Sequence, residues 1–452
     1  MTDPVPTPTS EILAPEILAP EIPAPDIGDS LILPCGAVLP NRLAKAAMTE
    51  GLADPQGRAT ADLERLYGLW ADGGAGLLIT GNVQIDRDHL ERPGNVIISG
   101  AQDEAALAGL RAMARAGTRG GGHIWMQISH AGRQTQATVN PHPKAPSAIA
   151  VGLPGKQFGL PVALTEAEIL DLIERFGVAA QVARETGFTG VQIHAAHGYL
   201  LSQFLSPRSN LRTDQWGGCL ENRARMLMAV VARVRAGVGP AFPIGVKLNS
   251  ADFQKGGFAF EDSVIVAGWL QAAGVDLLEI SGGSYEQPAM MDTAGMEAPE
   301  APPKSASTAA REAYFVDFAR TMRTSLTMPL MVTGGFRTRA AMTMALAQGG
   351  ADIIGLGRPL CVDTAGPAKL LAGADALDRW ESTLRLLPPW LAFLGGLKML
   401  KAIEGFAIIY WYYAQIDALG RTGKANIRIS PFSALLTIQK AGKAWLKARN
   451  RS

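Results

Sequence analysis

Residues 329–358 read PLMVTGGFRTRAAMTMALAQGGADIIGLGR, and they hold one complete strand–helix–strand repeat. Two short apolar runs, 329–335 and 351–357, flank a segment with helical periodicity at 338–348. Near-continuous apolar runs of this length are typical of parallel strands that are buried on both faces. The stretch therefore predicts a βαβ unit, in which a helix connects two parallel strands.

The same alternation extends from residue 42 to residue 357. Eight short apolar runs are predicted as strands, at 42–49, 76–83, 123–130, 190–196, 243–250, 275–282, 329–335 and 351–357. Helical periodicity occupies the intervals, at 60–73, 103–118, 166–187, 220–237, 261–273, 309–325 and 338–348. Eight parallel strands can close into a barrel, so we predict a (β/α)8 TIM barrel. The alternative is an open doubly wound sheet, but no early GxGxxG turn supports it.

The two ends of the chain differ from this repeat. Residues 11–25 read EILAP-EILAP-EIPAP, and proline at every fifth position prevents a packed helix. We therefore predict a disordered leader over residues 1–28, which lacks the positive start and long apolar run of a secretory signal. The barrel is assigned to 29–375 and a C-terminal helical extension to 376–452.

Composition excludes several classes of protein. The 452 residues carry 42 Lys and Arg against 41 Asp and Glu, a net charge of +1, which argues against a nucleic-acid binder. Cys35, Cys219 and Cys361 are far apart, so they predict neither a cysteine-ligated cluster nor disulfides. A reducing compartment, the cytoplasm, is the simplest location.

Three interpretations fit the extension at residues 385–452, which is aromatic and ends in basic residues. The favoured one is a helix whose aromatic face packs on the barrel, and a subunit contact in a homo-oligomer is the second. The third is an amphipathic helix on a membrane surface. A bilayer-spanning helix is not expected, because Lys398, Lys401 and Glu404 interrupt the apolar runs.

Chemistry in a (β/α)8 barrel is located at the carboxyl ends of the strands. Polar residues and glycines gather at these ends in the sequence. They are Ala47-Met48-Thr49, Gly81-Asn82, Gln127 with His130, His194 with His197 and Tyr199, Lys247 with Asn249, Ser281-Gly282-Gly283, Thr333-Gly334-Gly335, and Gly355-Leu356-Gly357-Arg358. Core packing alone does not explain this pattern.

The last two strand ends predict a phosphate site. Gly334, Gly335 and Gly357 let backbone N–H groups approach a ligand closely, and Arg358 supplies a forked cation. Barrels of this fold often bind phosphate between these two loops. The alternative is that the glycines only form tight turns and that Arg358 faces solvent.

The stretch His194-Ala195-Ala196-His197-Gly198-Tyr199 predicts a substrate site. Neutral His194 and His197 can each donate a hydrogen bond to a carbonyl oxygen, and Tyr199 is a plausible general acid. A metal at the two histidines is disfavoured because no third ligand stands at suitable spacing. Both histidines could also be satisfied core residues.

These motifs resemble the Old Yellow Enzyme family of FMN-dependent oxidoreductases over residues 30–370. The matching segments are LPNRL at 39–43, QISHAGR at 127–133, APSAI at 145–149, HAAHGYLLSQFLSP at 194–207, NLRTDQWGG at 210–218, ENR at 221–223, GVKLN at 245–249 and the two glycine loops. The resemblance implies a (β/α)8 barrel, which agrees with the strand count.

The resemblance also implies roles for individual residues toward FMN. Ala47, Met48 and Thr49 match the segment along the flavin, with Thr49 at the position that binds flavin O4. Gln127 matches the residue on the pyrimidine edge, and Lys247 matches the cation beside N1 and O2, which stabilises reduced flavin. The FMN phosphate site is matched by Gly334, Gly335, Gly357 and Arg358.

On the substrate side, His194 and His197 match the pair that binds the carbonyl oxygen, and Tyr199 matches the proton donor. Tyr285 is a candidate for the substrate pocket, although a packing role fits it equally. Threonine at position 49 is similar to one branch of the family, whereas HxxH is HxxN in some members. This mixture leaves the subfamily open.

The implied function is reduction of FMN by NADH or NADPH, followed by reduction of the C=C bond of an α,β-unsaturated carbonyl compound, in a ping-pong sequence. The alternatives are a family dehydrogenase or NADH oxidase with another substrate, and a non-catalytic, membrane-associated flavoprotein. Dienoyl-CoA reductases and amine dehydrogenases carry an iron–sulfur cluster, which three scattered cysteines do not support. A Schiff base at Lys247, as in aldolases, is a weaker interpretation.

Overall fold

The computed structural model describes residues 24–153, 157–283, 286, 314–386 and 398–451. Each of the eight apolar runs contains one parallel strand. The strands are β1 (Leu43–Lys45), β2 (Leu77–Ile79), β3 (His123–Ser129), β4 (Gly190–Ala195), β5 (Ile244–Asn249), β6 (Leu277–Ser281), β7 (Leu330–Thr333) and β8 (Ile353–Leu356). Each strand pairs with the next along the chain, and β8 pairs with β1 through Ile354 and Leu43. The sheet is therefore closed, which confirms the barrel and excludes the open sheet.

Helices follow the strands and cover the outside of the barrel. They are α1 (Ala61–Asp72), α2 (Glu104–Thr118), α3 (Glu166–Glu185), α4 (Leu200–Leu205), α5 (Leu220–Val238), α6 (Phe260–Ala272), α7 (Tyr314–Arg323), α8 (Arg339–Ala347), α9 (Gly366–Leu371), α10 (Lys398–Thr422) and α11 (Pro431–Arg449). The short α4 was not predicted, and of the helix predicted at 309–325 only residues 314 onward are described. Helix α3 begins with a capping box, in which the Glu168 N–H donates to Thr165 Oγ1 over 3.3 Å and the Thr165 N–H donates to Glu168 Oε2 over 2.8 Å.

Three smaller β elements lie outside the eight barrel strands in the described part of the chain. Leu31–Ile32 and Val38–Leu39 form an antiparallel hairpin, and Lys144–Ala145 pairs with Val162–Ala163. Val83–Gln84 extends alongside β3.

The last residues of the predicted leader belong to the fold. Ile27 is fully buried, and its carbonyl oxygen accepts a hydrogen bond from the Arg42 N–H over 2.9 Å. Asp26 pairs with Arg339 on α8 at 2.9 Å. The boundary at residue 28 was therefore wrong, because an apolar side chain just ahead of it completes the core. Residues 1–23 lie outside the described part of the chain.

The C-terminal extension forms a helical hairpin, α10–α11, that packs on the barrel. Trp411 is fully buried in α10, and its indole N–H donates to the Ile429 carbonyl over 2.9 Å. The Trp445 indole of α11 donates to the carbonyl of Ala53, in the loop after β1, over 2.9 Å. This arrangement agrees with the packing interpretation of the aromatic residues. No helix in the described ranges combines the length and the apolar character needed to cross a bilayer.

Candidate active site

His194 and Tyr199 form the centre of a polar cluster at the carboxyl end of β4. Their rings meet edge to face with centroids 4.8 Å apart, and the His197 ring lies 5.0 Å from His194. The Ala196 N–H donates to His194 Nδ1 over 3.2 Å. Neutral His194 therefore carries its proton on Nε2, as a donor to an oxygen requires.

His197 is held in an unusual backbone conformation. Its φ is +62°, in the left-handed region that non-glycine residues seldom occupy. The His197 N–H donates to Asn249 Oδ1 over 3.1 Å, and His197 Nε2 lies 2.6 Å from Ser281 Oγ. The ends of β5 and β6 thus fix the second histidine, and Asn249 and Ser281 are positioning residues to which the sequence assigned no role.

Both imidazoles are neutral at physiological pH. Burial holds the pKa of His194 well below its ordinary value, and the nearby His197 and Lys247 side chains lower it further. Burial, followed by the Lys247 charge, also holds the pKa of His197 well below its usual range. The pair can therefore donate hydrogen bonds without bringing a positive charge into the site.

A buried polar network crosses the barrel beneath these histidines. Lys247 Nζ lies 2.9 Å from Glu279 Oε1, and both side chains are buried. Glu279 also accepts hydrogen bonds from Gln192 Nε2 and Thr333 Oγ1, each over 2.7 Å. Gln127 Nε2 donates in turn to Gln192 Oε1 over 2.7 Å. The predicted residues Gln127 and Lys247 are thereby connected through two residues that the sequence analysis missed.

A signal for the two missed residues was present in the sequence. Gln192 and Glu279 are isolated polar residues in otherwise apolar strands, and such residues are seldom fully buried unless they are paired. The ion pair also weakens the Schiff-base interpretation, because an ammonium group paired with a carboxylate is not nucleophilic.

The segment after β1 approaches the loop after β2. Thr49 Oγ1 donates to Glu91 Oε2 over 2.9 Å, and Asn95 Nδ2 donates to the same oxygen over 3.3 Å. Met48 Sδ lies 3.4 Å from Cys361 Sγ, and Ala47 is half-buried. The proposed contact of Thr49 with flavin stays a prediction, and the Thr49 hydroxyl would have to turn from Glu91 to donate to a ligand.

Arg337 and Arg358 follow the neighbouring strands β7 and β8, and the charges of both act on the carboxylate of Glu381. Gly334 and Gly335 have φ values of +130° and +77°, which favour glycine. Arg337 is buried, and its Nη2 donates to Glu381 Oε1 over 2.7 Å, while its Nε has no partner within the described ranges. Burial lowers the pKa of Arg337, and the nearby charge of Arg358 lowers it further. Arg358 and Gly357 were predicted for a phosphate site, and Arg337 was not; the phosphate site stays a prediction.

This donor set fits FMN. Two neighbouring arginines beside glycines with positive φ suit a phosphate, and the unpartnered Arg337 Nε supplies a buried donor. A buried lysine, a glutamine amide and neutral histidines suit the polar edge of a flavin ring and a carbonyl substrate. Tyr285, the remaining predicted residue, lies outside the described part of the chain.

Asp86, His89 and His130 form a second cluster, with possible ligand atoms within 4.8 Å of one another. His89 Nε2 accepts a hydrogen bond from the Lys144 N–H over 2.8 Å, and His130 Nδ1 accepts one from the Gly132 N–H over 3.1 Å. In the neutral form of either ring, the proton would therefore sit on the nitrogen that faces Asp86. A metal requires the opposite arrangement. The absence of a metal site stays a prediction, which this hydrogen bonding supports.

Comparisons with known proteins agree with the geometry. Residues 36–375 match the model of the NADH:flavin oxidoreductase / NADH oxidase family. The NADH-dependent flavin oxidoreductase iccE of Talaromyces variabilis is 35% identical over 417 residues, which cover 88% of this chain and 99% of that protein.

Two solved structures share the fold. The old yellow enzyme homologue from Zymomonas mobilis has a TM-score of 0.65 and 26% identity, over 80% of this chain and 98% of that one. Morphinone reductase has a TM-score of 0.63 and 27% identity, over 79% of this chain and 92% of that one. These matches confirm the resemblance to the Old Yellow Enzyme family, and with it FMN and a nicotinamide dinucleotide as cofactors of an oxidoreductase. The chain belongs to the NADH:flavin oxidoreductase / NADH oxidase family.

Proposed function

We propose that this protein is an ene-reductase, which uses NADH or NADPH to reduce the C=C bond of an α,β-unsaturated carbonyl compound in a ping-pong reaction. The observation that carries the proposal is the cluster at the end of β4. Two neutral imidazoles and a buried phenol meet there with ring centroids 4.8 and 5.0 Å apart. FMN, when bound, would supply the hydride-transfer chemistry that links the nicotinamide to the alkene.

His194 and His197 hold the carbonyl oxygen of the substrate in this proposal. The Nε2–H of His194 is fixed by the backbone bond to Nδ1, so the donor is oriented before substrate arrives. Hydrogen bonds to the oxygen become stronger as negative charge develops on it. Because both rings stay neutral, they stabilise that charge without being titrated near pH 7.

Tyr199 supplies the proton to the α-carbon. The side chain is buried, and its ring packs against His194, so the phenol stands next to the group that holds the substrate oxygen. A positioned general acid contributes about 10²- to 10⁴-fold to a rate. Lys247 and Gln127 hold the flavin ring, and Arg337 and Arg358 hold the phosphate.

Tyr199→Phe tests the proposal. We expect reoxidation of the reduced enzyme by 2-cyclohexenone to slow by about 100-fold or more. Reduction of the enzyme by NADH should stay close to the wild-type rate, because that half-reaction needs no proton from Tyr199. Anaerobic stopped-flow absorbance separates the two steps, and Tyr410→Phe is the control. Equal slowing of both half-reactions would contradict the role of Tyr199.

The histidine pair is tested by binding of a phenol to the oxidised enzyme. His194→Asn combined with His197→Ala should weaken binding of p-hydroxybenzaldehyde by about 10-fold, because His197→Ala removes one donor and the shorter asparagine holds the other farther from the oxygen. A spectrophotometric titration of the flavin band measures the affinity. Unchanged affinity would argue against a role in oxygen binding.

The family description also contains NADH oxidase, which is the second candidate. An oxidase would be reoxidised by dissolved oxygen faster than by any enone. Comparing the two reoxidation rates in the wild type decides between them. The choice between NADH and NADPH, and a cytoplasmic location, remain predictions.

A further inference from the structure

Positive charge is concentrated at the carboxyl end of the chain. From Ala418 to Ser452 there are eight Lys and Arg residues and no Asp or Glu. The chain before residue 418 holds the other 34 Lys and Arg against all 41 Asp and Glu. The near-neutral total therefore conceals a basic carboxyl end, which is offset by acidic residues in the leader and the rest of the chain.

Helix α11 presents two different faces. Pro431, Ala434 and Ile438 are buried against the protein. At 100° per residue, the opposite side of the helix holds five residues within an arc of about 80°. These five, all exposed, are Phe432, Leu436, Lys440, Lys443 and Lys447.

The outward face is apolar at its start and basic toward its end. Phe432 and Leu436 are 55% and 52% exposed, and the three lysines follow them along the helix. Ile427, in the turn between α10 and α11, is 49% exposed and is flanked by exposed Arg428. Neighbouring exposed apolar side chains of this size, bordered by charge, mark interaction sites.

We propose that this face docks on the surface of an anionic lipid bilayer. The basic hairpin face consists of Ile427, Phe432, Leu436, Lys440, Lys443 and Lys447. The three apolar side chains insert among the lipid headgroups, and the lysines contact lipid phosphates. The inner side of the hairpin packs on the barrel through Trp411 and Trp445, so docking needs no rearrangement of the active site.

Two other partners fit the face less well. The cations could bind the phosphates of a nucleic acid, but such binding would not use the large exposed apolar side chains beside them. A second copy of the chain, related by a two-fold axis, would bring together two basic helices, which repel each other, and would set the lysines of one against the apolar half of the other. The hairpin has no carboxylate side chain after Asp417 to offset that repulsion.

The test is co-sedimentation of the full-length, FMN-loaded protein with vesicles. We expect binding to vesicles of 70% phosphatidylcholine and 30% phosphatidylglycerol, and at most weak binding to pure phosphatidylcholine. Lys440→Glu, Lys443→Glu and Lys447→Glu together should lower the partition coefficient by about 100-fold. The matched control changes three exposed cations on other faces, as Arg115→Glu, Lys255→Glu and Arg320→Glu, and should retain most of the binding.

The apolar part is tested by Phe432→Gln with Leu436→Gln, against Leu170→Gln, whose side chain is 51% exposed on α3. The double variant should lose at least 10-fold in vesicle binding. The proposal would be overturned if the control triple variant lost as much vesicle binding as the lysine triple variant. It would also be overturned if the protein bound neutral and anionic vesicles equally well, or bound neither.

Two further outcomes would indicate that the partner of this face is not a lipid bilayer. Tight binding of labelled duplex DNA, with vesicle binding unaffected by the Phe432 and Leu436 changes, would indicate a polyanion site. If the wild type is a dimer in size-exclusion chromatography and the Phe432 and Leu436 changes dissociate it, the partner of this face is a second copy of the chain. FMN content and enone turnover of the variants, measured without vesicles, keep this inference separate from the proposed function.

Discussion

Glu279 pairs with Lys247, the residue that we propose to lie beside the flavin. The two side chains are buried and 2.9 Å apart, so their charges compensate each other. We expect Glu279→Gln to raise the reduction potential of bound FMN, because the lysine charge then acts on the reduced flavin without compensation. A unit charge about 6 Å away at an effective dielectric constant near 20 is worth about 3 kcal/mol, or about 60 mV for a two-electron couple. Spectroelectrochemical titration measures the shift.

Thr333→Val is the control for this change. It removes the 2.7 Å hydrogen bond to Glu279 Oε1 but leaves the charge of the ion pair intact. A potential that moves by the same amount in both variants would mean that packing, and not charge, controls it.

His130 makes the folding stability depend on pH. Burial, followed by the charge of His89, lowers the pKa of His130 to about 4, against about 6.5 in an unfolded chain. Between these values the unfolded chain binds a proton that the folded chain does not, so stability falls as pH drops below about 6.5. We expect this residue to account for about 2 kcal/mol of lost stability between pH 7 and pH 5.

The measurement is the difference between the Tm values at pH 7.0 and pH 5.0. This difference should shrink in His130→Asn, whose side-chain oxygen can still accept the Gly132 N–H. A pH-dependent decrease in Tm as large as that of the wild type would show that other buried groups, such as His194 and His197, are responsible.

Some residues of the candidate site could be placed at the barrel mouth from the sequence because strand ends are local features. His194 and Lys247 lie in the later parts of the apolar runs at 190–196 and 243–250, and Tyr199 comes shortly after the first of them. The barrel brings all strand ends to one mouth. Glu279 was missed because its role depends on contacts across the barrel, which no local pattern specifies. Arg337 was missed because its burial depends on Glu381, which is 44 residues away in sequence.

At the scale of elements, the eight strands and most helices could be predicted because buried parallel strands and amphipathic helices have distinct periods. Helix α4 (Leu200–Leu205) was missed because all six of its residues are buried and no polar face marks it. The predicted start of the barrel, residue 29, lies after the buried Ile27. Ile27 gives no signal in the sequence because polar residues, glycine and prolines surround it.

The capping box of α3 is a motif whose energetic effect can be measured. Thr165→Ala removes the acceptor of the Glu168 N–H and should lower the free energy of unfolding by about 1 kcal/mol. Urea denaturation followed by circular dichroism measures it. Thr321→Ala, on the exposed side of α7, is the control, and an equal loss there would mean that the cap adds nothing.

At the scale of the whole molecule, the hairpin and the barrel share one hydrophobic core. Trp411, Ile416 and Leu419 of α10 belong to the same buried cluster as Leu66 and Trp70 of α1. The Arg65 guanidinium also donates to the carbonyl of Gly420. A shared core predicts that the hairpin and the FMN site lose their structure together.

Trp411→Ala tests this cooperativity. Removing a fully buried tryptophan should lower the stability by about 3–5 kcal/mol, and the cavity lies in the core that the barrel uses. We expect the helical signal in circular dichroism and the release of FMN fluorescence to shift to the same lower temperature. The control is Trp445→Phe, which removes one hydrogen bond at the edge of α11 and should shift both signals only slightly. FMN release at the wild-type temperature, with an earlier loss of part of the helical signal, would mean that the hairpin unfolds independently and that the barrel holds its cofactor without it.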